Sequence, residues 1–189
     1  GLEIAERTGS LFSQVVAFAH LGRARALRGE WQEAIGAFEK SLEIARAKRI
    51  GCEIEAGIVA DLAEAHSSIG NHPAALAFAR EAIDLAHRRG VKVEECRAHL
   101  VMARVLVRAE GAHKQRAVRK ALETAAEIAR ETEARVYEPF IHLELAEVAR
   151  LAGDEAERAS ELQTSSELFA EIGASGHLAA TAGQTVAEV

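Results

Sequence analysis

Gly29, Gly70, Gly111 and Gly153 stand 41, 41 and 42 residues apart, and each closes an Ala- and Leu-rich amphipathic stretch. A second series, Gly9, Gly51, Gly90 and Gly173, interleaves with the first and skips one rung, where Thr132 stands. Two series with a common period near 41 predict a repeated helix–turn–helix unit, with one tight turn inside each unit and a looser turn between units. A stacked repeat is quasi-one-dimensional, so it offers long exposed faces rather than a deep cleft.

The pattern predicts an A helix in each unit, over 10–28, 52–69, 93–109 and 135–152. A B helix follows each, over 31–49, 72–89, 114–131 and 155–172. The units run 10–50, 51–90, 91–133 and 134–173, and together they make a repeat domain over 10–173. Residues 174–189 read as a tail whose amphipathic stretch, about 177–188, would cap the open end. Residues 1–9 read as the end of a truncated preceding helix, because Leu2-Glu3-Ile4-Ala5 repeats Leu42-Glu43-Ile44-Ala45. From this the chain is expected to be a piece of a larger protein.

Apolar residues make up 49% of the chain and aromatics only 4%, so the core must be built from Ala, Leu, Ile and Val. Pro73 and Pro139 are the only prolines and period-two alternation is missing, which favours helix throughout. The net charge of −6 argues against nucleic-acid binding. No apolar run reaches the length of a membrane span. Cys52 and Cys96 match no metal or redox spacing and are expected to be buried or half-buried free thiols of a cytoplasmic protein.

Aligned on their turns, the units share packing slots. Leu21, Leu62, Met102 and Leu145 fill one, and the next residue is always small: Gly22, Ala63, Ala103, Ala146. On the B helices Phe38, Ala79, Leu122 and Leu162 share a slot, followed three residues later by Ser41, Ala82, Ala125 and Ser165. Bulky and small residues at fixed positions are what close ridges-into-grooves packing requires.

These slots resemble the tetratricopeptide repeat family. Leu21-Gly22, Gly29, Ala34, Phe38 and Ser41 follow its pattern closely, and Leu62-Ala63, Gly70, Ala75, Ala79 and Ala82 repeat it. The third and fourth units keep the Leu-small pair but carry Val118 and Arg158 where the family has Ala. The family's closing proline is replaced by Arg46, His87, Arg130 and Ala170, so nothing ends the B helices early and the period exceeds the family's. The resemblance implies an all-α, right-handed superhelical α-solenoid of antiparallel helix pairs. Tyr137-Glu138-Pro139, Leu151-Ala152-Gly153-Asp154 and residues 168–174 further resemble the repeat regions of bacterial ATP-dependent LuxR-type regulators and nucleotide-cyclase/ATPase fusions.

No phosphate-binding loop, metal-ligand spacing or paired-carboxylate motif is present, so neither an enzyme nor a cofactor is expected. His99 and His142 share a slot on successive A helices and read as packed or solvated side chains. Carried over from the family, the concave face of the A helices would bind a protein or peptide segment, or another domain of the same chain. That face should present Arg23 and Leu27, then Glu64, Ser67 and Ser68, then Arg97, Arg104 and Arg108, and last Glu147 and Arg150. The slot Arg23, Glu64, Arg104, Glu147 reads either as an internal ion-pair ladder or as a charged stripe for a partner. Arg97, Arg104 and Arg108 share one helix face with only one acid in easy reach, which marks them for a carboxylate or phosphate. A small effector sensed in the groove is the alternative function. A homodimer is expected through Leu11, Phe12, Val15 and Phe18, left open on the first A helix.

Overall fold

The computed structural model describes residues 2–174 and Gly176. The described residues form α1 (Leu2–Thr8), α2 (Leu11–Leu27), α3 (Trp31–Lys48), α4 (Cys52–Ser68), α5 (His72–Arg89), α6 (Lys92–Glu110), α7 (Gln115–Glu131), α8 (Glu138–Ala152) and α9 (Glu155–Glu171). Each A helix (α2, α4, α6, α8) packs along its B partner (α3, α5, α7, α9), and the pairs stack in order. The chain is an all-α solenoid, as the repeat pattern implies. The expected capping stretch at 177–188 lies outside the described residues.

The expected helix bounds hold within one residue except before α8. There Arg135–Tyr137 form a 3₁₀ turn, and Pro139 occupies the first turn of α8, where its missing N–H costs nothing. Ser10, Asn71 and Asp154 cap α2, α5 and α9 by accepting the backbone N–H three residues on.

Almost every turn is closed by one backbone device. The N–H two residues past the last helical turn bonds the carbonyl five residues back: Glu30 to Arg25, Ile50 to Ala45, Asn71 to His66, Val91 to Ala86, Ala134 to Ala129, Asp154 to Ala149 and Ala174 to Phe169. That geometry needs one residue in the left-handed region, which glycine adopts without strain. Gly29, Gly70, Gly90, Gly153 and Gly173 supply it.

Two rungs of the second ladder are corrected here. Arg49 (φ 54°) and Glu133 (φ 56°) hold the left-handed position inside the closing bond; Thr132 is right-handed, and Gly51, though left-handed too (φ 63°), lies beyond that bond. Gly51 instead opens α4, where an added Cβ would press on Val15 at 3.4 Å. Gly111 also departs from its series: with φ 54° and ψ −132° it leads into a 3₁₀ turn over Gly111–Lys114, the lengthened basic turn of the third unit.

The small-residue slots are packed as their sizes require. Gly22 faces the Phe38 ring so closely that a Cβ would sit 2.4 Å from Cε1. The B-helix serines of the outer units are buried and donate to carbonyls of their A partners, Ser41 to Val15 at 2.7 Å and Ser165 to Pro139 at 2.9 Å. In the third unit the direction reverses, with Cys96 of α6 donating to the Ala125 carbonyl. One apolar cluster joins α2 to α6 and a second joins α6 to α8, so α6 serves both.

Successive A helices touch (α2–α4, α4–α6, α6–α8), whereas successive B helices hardly meet. The array therefore curves with the A helices inside. Helix α4 is the most enclosed, with Ala56, Gly57, Ala60, Asp61 and Ser67 all buried.

Candidate functional site: the inner face of the A helices

Short side chains on α4 let α6 approach, and the long charged side chains of the neighbouring A helices meet across the seam. Asp61, only 6% exposed, accepts from Arg23 of α2 at 2.8 Å and from Arg97 of α6 on its other side. Arg97 also donates to the Gly57 carbonyl at 3.0 Å, reached because Gly57 has no side chain in the way. One turn along, Arg104 of α6 bonds Glu64 of α4 and Glu144 of α8, both at 2.7 Å. Its guanidinium lies 5.8 Å from the centre of the Phe140 ring, within cation–π range.

Two chains of charge thus cross the inner face: Arg23–Asp61–Arg97, and Glu64–Arg104–Glu144. The expected Arg23, Glu64, Arg104, Glu147 stripe is half right. Glu64 and Arg104 pair, but the outer rungs use Asp61 and Glu144, three residues before the expected acids. Positions i and i+3 share a helix face, so a slot alignment cannot choose between them when neighbouring helices are offset.

The same geometry corrects the expectation that only one acid is in easy reach of Arg97, Arg104 and Arg108. Asp61, Glu64, Glu94 and Glu144 surround the first two. Burial alone would lower the pKa of Arg97 and Arg104, and the neighbouring carboxylates outweigh it and raise both. Burial pushes the Glu144 carboxyl above its ordinary range despite Arg104 and Arg108 nearby. Arg108 alone of the three is exposed, and among the described residues it has no hydrogen-bond or ion-pair partner.

The remaining expected residues divide. Ser67 is buried between helices, where its hydroxyl has no partner, so it is not part of an open surface. Ser68 is half-buried and donates to the Glu64 carbonyl. Glu147 and Arg150 pair with each other along α8 at 2.7 Å. Leu27 is 90% exposed.

Two grooves flank the charge chains. The first, about 360 Å³, lies among Leu27, Ala26, Trp31 and Phe38, with Arg23, Asp61, Glu64 and Arg97 along its side. The second, about 490 Å³, lies between α6, α8 and α9, with Val107, Leu143 and Leu162 among its apolar walls and Arg104, Arg108, Arg150 and Arg158 around them. Trp31, Asp61, Glu144 and Arg158 were not among the expected site residues. Asp61 and Glu144 carried a usable signal as acids on the same A-helix face as the chosen ones, and Arg158 as a departure from the family's Ala.

Residues 15–88 match the family model for tetratricopeptide repeats. The match covers α3, α4 and most of α2 and α5, and it supports a tetratricopeptide-type family for the array. Such repeats generally mediate protein–protein interaction and are typically non-catalytic. No curated protein matches the chain.

The other side-chain clusters have structural explanations. Among the described residues no group of three His, Cys, Asp or Glu is placed to hold a metal ion, and no helix is long and apolar enough to cross a membrane. His142 bonds Glu161 at 2.5 Å and His66 stacks on Phe78. Burial lowers the pKa of His99 and raises the Cys96 thiol to about 11. Cys52, expected to be at least half-buried, is exposed at the start of α4, because α4 turns its first residue outward. Of the expected dimer face, Val15 is fully buried beneath its neighbours, while Leu11 and Phe12 remain exposed.

Proposed function

We propose that the array is a docking scaffold that holds an extended protein segment along the inner face of the A helices. The observation that carries this reading is Leu27, a large aliphatic side chain 90% exposed beside half-buried Trp31 at the mouth of an apolar groove. An exposed leucine next to a concave apolar surface is where a partner's side chain gains most from leaving water. The charge chains support the scaffold rather than the recognition. They tie four A helices together and keep the face in one shape, which lowers the ordering cost of binding.

The resemblance of residues 137–139, 151–154 and 168–174 to the repeat regions of bacterial regulators supports a larger bacterial regulatory protein as the parent, with the segment supplied by another protein or by a further domain of the same chain. Peptides selected from an unbiased display library on the immobilised protein test the docking role. Binding should fall at least tenfold with Leu27→Asp and persist with Lys40→Glu on the outer surface. Selected peptides that bind both variants alike would place the contact elsewhere.

The small-effector reading has one supporting observation: a groove of about 490 Å³ falls within the size range of small-molecule sites. A metabolite panel that raises the melting temperature in proportion to ligand concentration would favour it over docking. Self-association through exposed Leu11 and Phe12 is read out by light scattering of Phe12→Glu, expected to weaken any dimer.

A further inference from the structure

The groove at Leu27 has no net charge to offer. Two arginines, Arg23 and Arg97, and two acids, Asp61 and Glu64, line its side. All four are matched, for Asp61 accepts from both arginines and Glu64 accepts from Arg104. A charged side chain brought there would leave water to meet groups already paired, or would break a pair whose acid is buried. Both are unfavourable, so this wall suits an uncharged occupant.

The groove does offer an aromatic donor and aliphatic surface. Trp31 is half-buried, and among the described residues its indole N–H is neither buried nor bonded. An indole N–H that enters an interface normally finds an acceptor there. Leu27, 90% exposed, ends α2 beside it, and Ile69, 42% exposed, stands in the same way at the end of α4.

Three ways of laying a peptide on a surface make different demands. A β-strand needs a row of free backbone groups to pair with, and helix interiors have none. An α-helical segment uses its carbonyls internally and frees them only in its last turn. A polyproline II segment has no internal hydrogen bonds, so every carbonyl can accept, and proline brings no N–H for burial to strand. The period fits as well. Three residues rise about 9 Å, which is one step between neighbouring A helices about 8–10 Å apart.

We infer that the Leu27–Trp31 groove takes a proline-rich segment in the polyproline II conformation, with an apolar side chain at every third position and a main-chain carbonyl on the Trp31 indole N–H. One apolar side chain enters between Leu27 and Trp31, over the buried Phe38 ring, and the next meets Ile69 of α4. The inference rests on the docking reading above and adds the chemistry and period of what is docked. A segment already stiff before binding loses little freedom on being held, which suits a groove of only about 360 Å³.

Trp31 is the chain's single tryptophan, so its emission reads the groove directly. A synthetic peptide of four Leu-Pro-Pro triplets should shift that emission to shorter wavelength, saturably and equally at low and high salt. Fluorescence anisotropy of end-labelled peptides compares it with Leu-Ser-Gly triplets, with Glu-Pro-Pro triplets and with Leu-Pro-Pro-Pro repeats. The Leu-Pro-Pro peptide should bind at least tenfold tighter than each control. Trp31→Phe keeps a ring and removes the donor, and should weaken binding about three- to tenfold. Leu27→Asp should abolish binding without moving the melting temperature, because Leu27 is exposed. Lys40→Glu should leave binding intact.

Equal binding of Leu-Pro-Pro and Leu-Ser-Gly peptides, equal binding of three- and four-residue repeats, or indifference to Trp31→Phe or Leu27→Asp would overturn the proline-rich assignment. The docking reading would still stand if library-selected peptides of other composition lose affinity with Leu27→Asp.

Discussion

Substituting Gly22 by Ala probes the packing rule on which the array is built. An ideal Cβ at this position would lie 2.4, 2.6 and 2.9 Å from Cε1, Cδ1 and Cζ of Phe38. Carbon atoms in favourable contact sit about 3.5–4.0 Å apart, so three ring atoms are overlapped by about 1 Å. The ring cannot retreat, since Phe38 is 1% exposed and enclosed by the first apolar cluster. Overpacking of this kind costs about 1–3 kcal/mol. Removing a glycine from a helix interior returns about 0.5–1 kcal/mol. The balance is a net loss of roughly 1–2 kcal/mol.

The molecule already contains the compensated pair. The third and fourth units place Ala103 with Leu122 and Ala146 with Leu162 in the equivalent slots. Phe38→Leu should therefore rescue Gly22→Ala, and the double variant should be more stable than the sum of the single losses by about 1–2 kcal/mol. Urea unfolding followed by far-ultraviolet circular dichroism measures this, provided the slope is unchanged among variants. Stabilisation by Gly22→Ala alone would refute the reasoning. So would single effects that add to within about 0.5 kcal/mol.

Glu133 holds a left-handed conformation (φ 56°) at the end of α7, so Glu133→Gly should stabilise by about 0.5–1 kcal/mol, the relieved strain less glycine's larger unfolded entropy. A lower midpoint in the same unfolding assay would contradict that. Glu55, 6% exposed, is held by Arg46 at 2.8 Å and Arg89 at 2.6 Å. Burial alone would raise its carboxyl, and the two arginines outweigh burial and hold it below its ordinary 4.5. A folded-state value below the unfolded one contributes stability that is complete above the unfolded value and is lost as the pH falls towards the folded one. Glu55→Gln should accordingly destabilise at neutral pH, and its gap from the parent should narrow on acidification below 4.5. A pH-independent gap would remove the charge from the account.

The repeat, its unit bounds and its small-residue slots were legible because they depend on local chemistry. Gly29 and Gly70 mark turns that only a left-handed residue can close, and the Gly22–Phe38 pair reports a close helix approach. The second ladder misled at two rungs because the closing bond is made by backbone alone. A non-glycine can make it at a cost, and Arg49 and Glu133 do. On the inner face the charged positions were legible and their partners were not. Which of Asp61 and Glu64 meets Arg23, or of Glu144 and Glu147 meets Arg104, depends on the axial offset between helices, which no single helix encodes. Ser67 was read as surface for a related reason, since its burial comes from the packing of helices around α4 and not from α4 alone.

Helix α6 contributes to both apolar clusters, and its Arg104 grips an acid on either side. In a nearest-neighbour array an unfolding front travels unit by unit, and its progress is set by the weakest junction it meets. Here a front from either end arrives at the same beam, which cannot be released without loosening both halves. Pulled from its two ends, the molecule would not come apart as four separate springs. It would pay out its outer units and hold at the centre, keeping Arg104 and its two acids in place after the flanks had yielded.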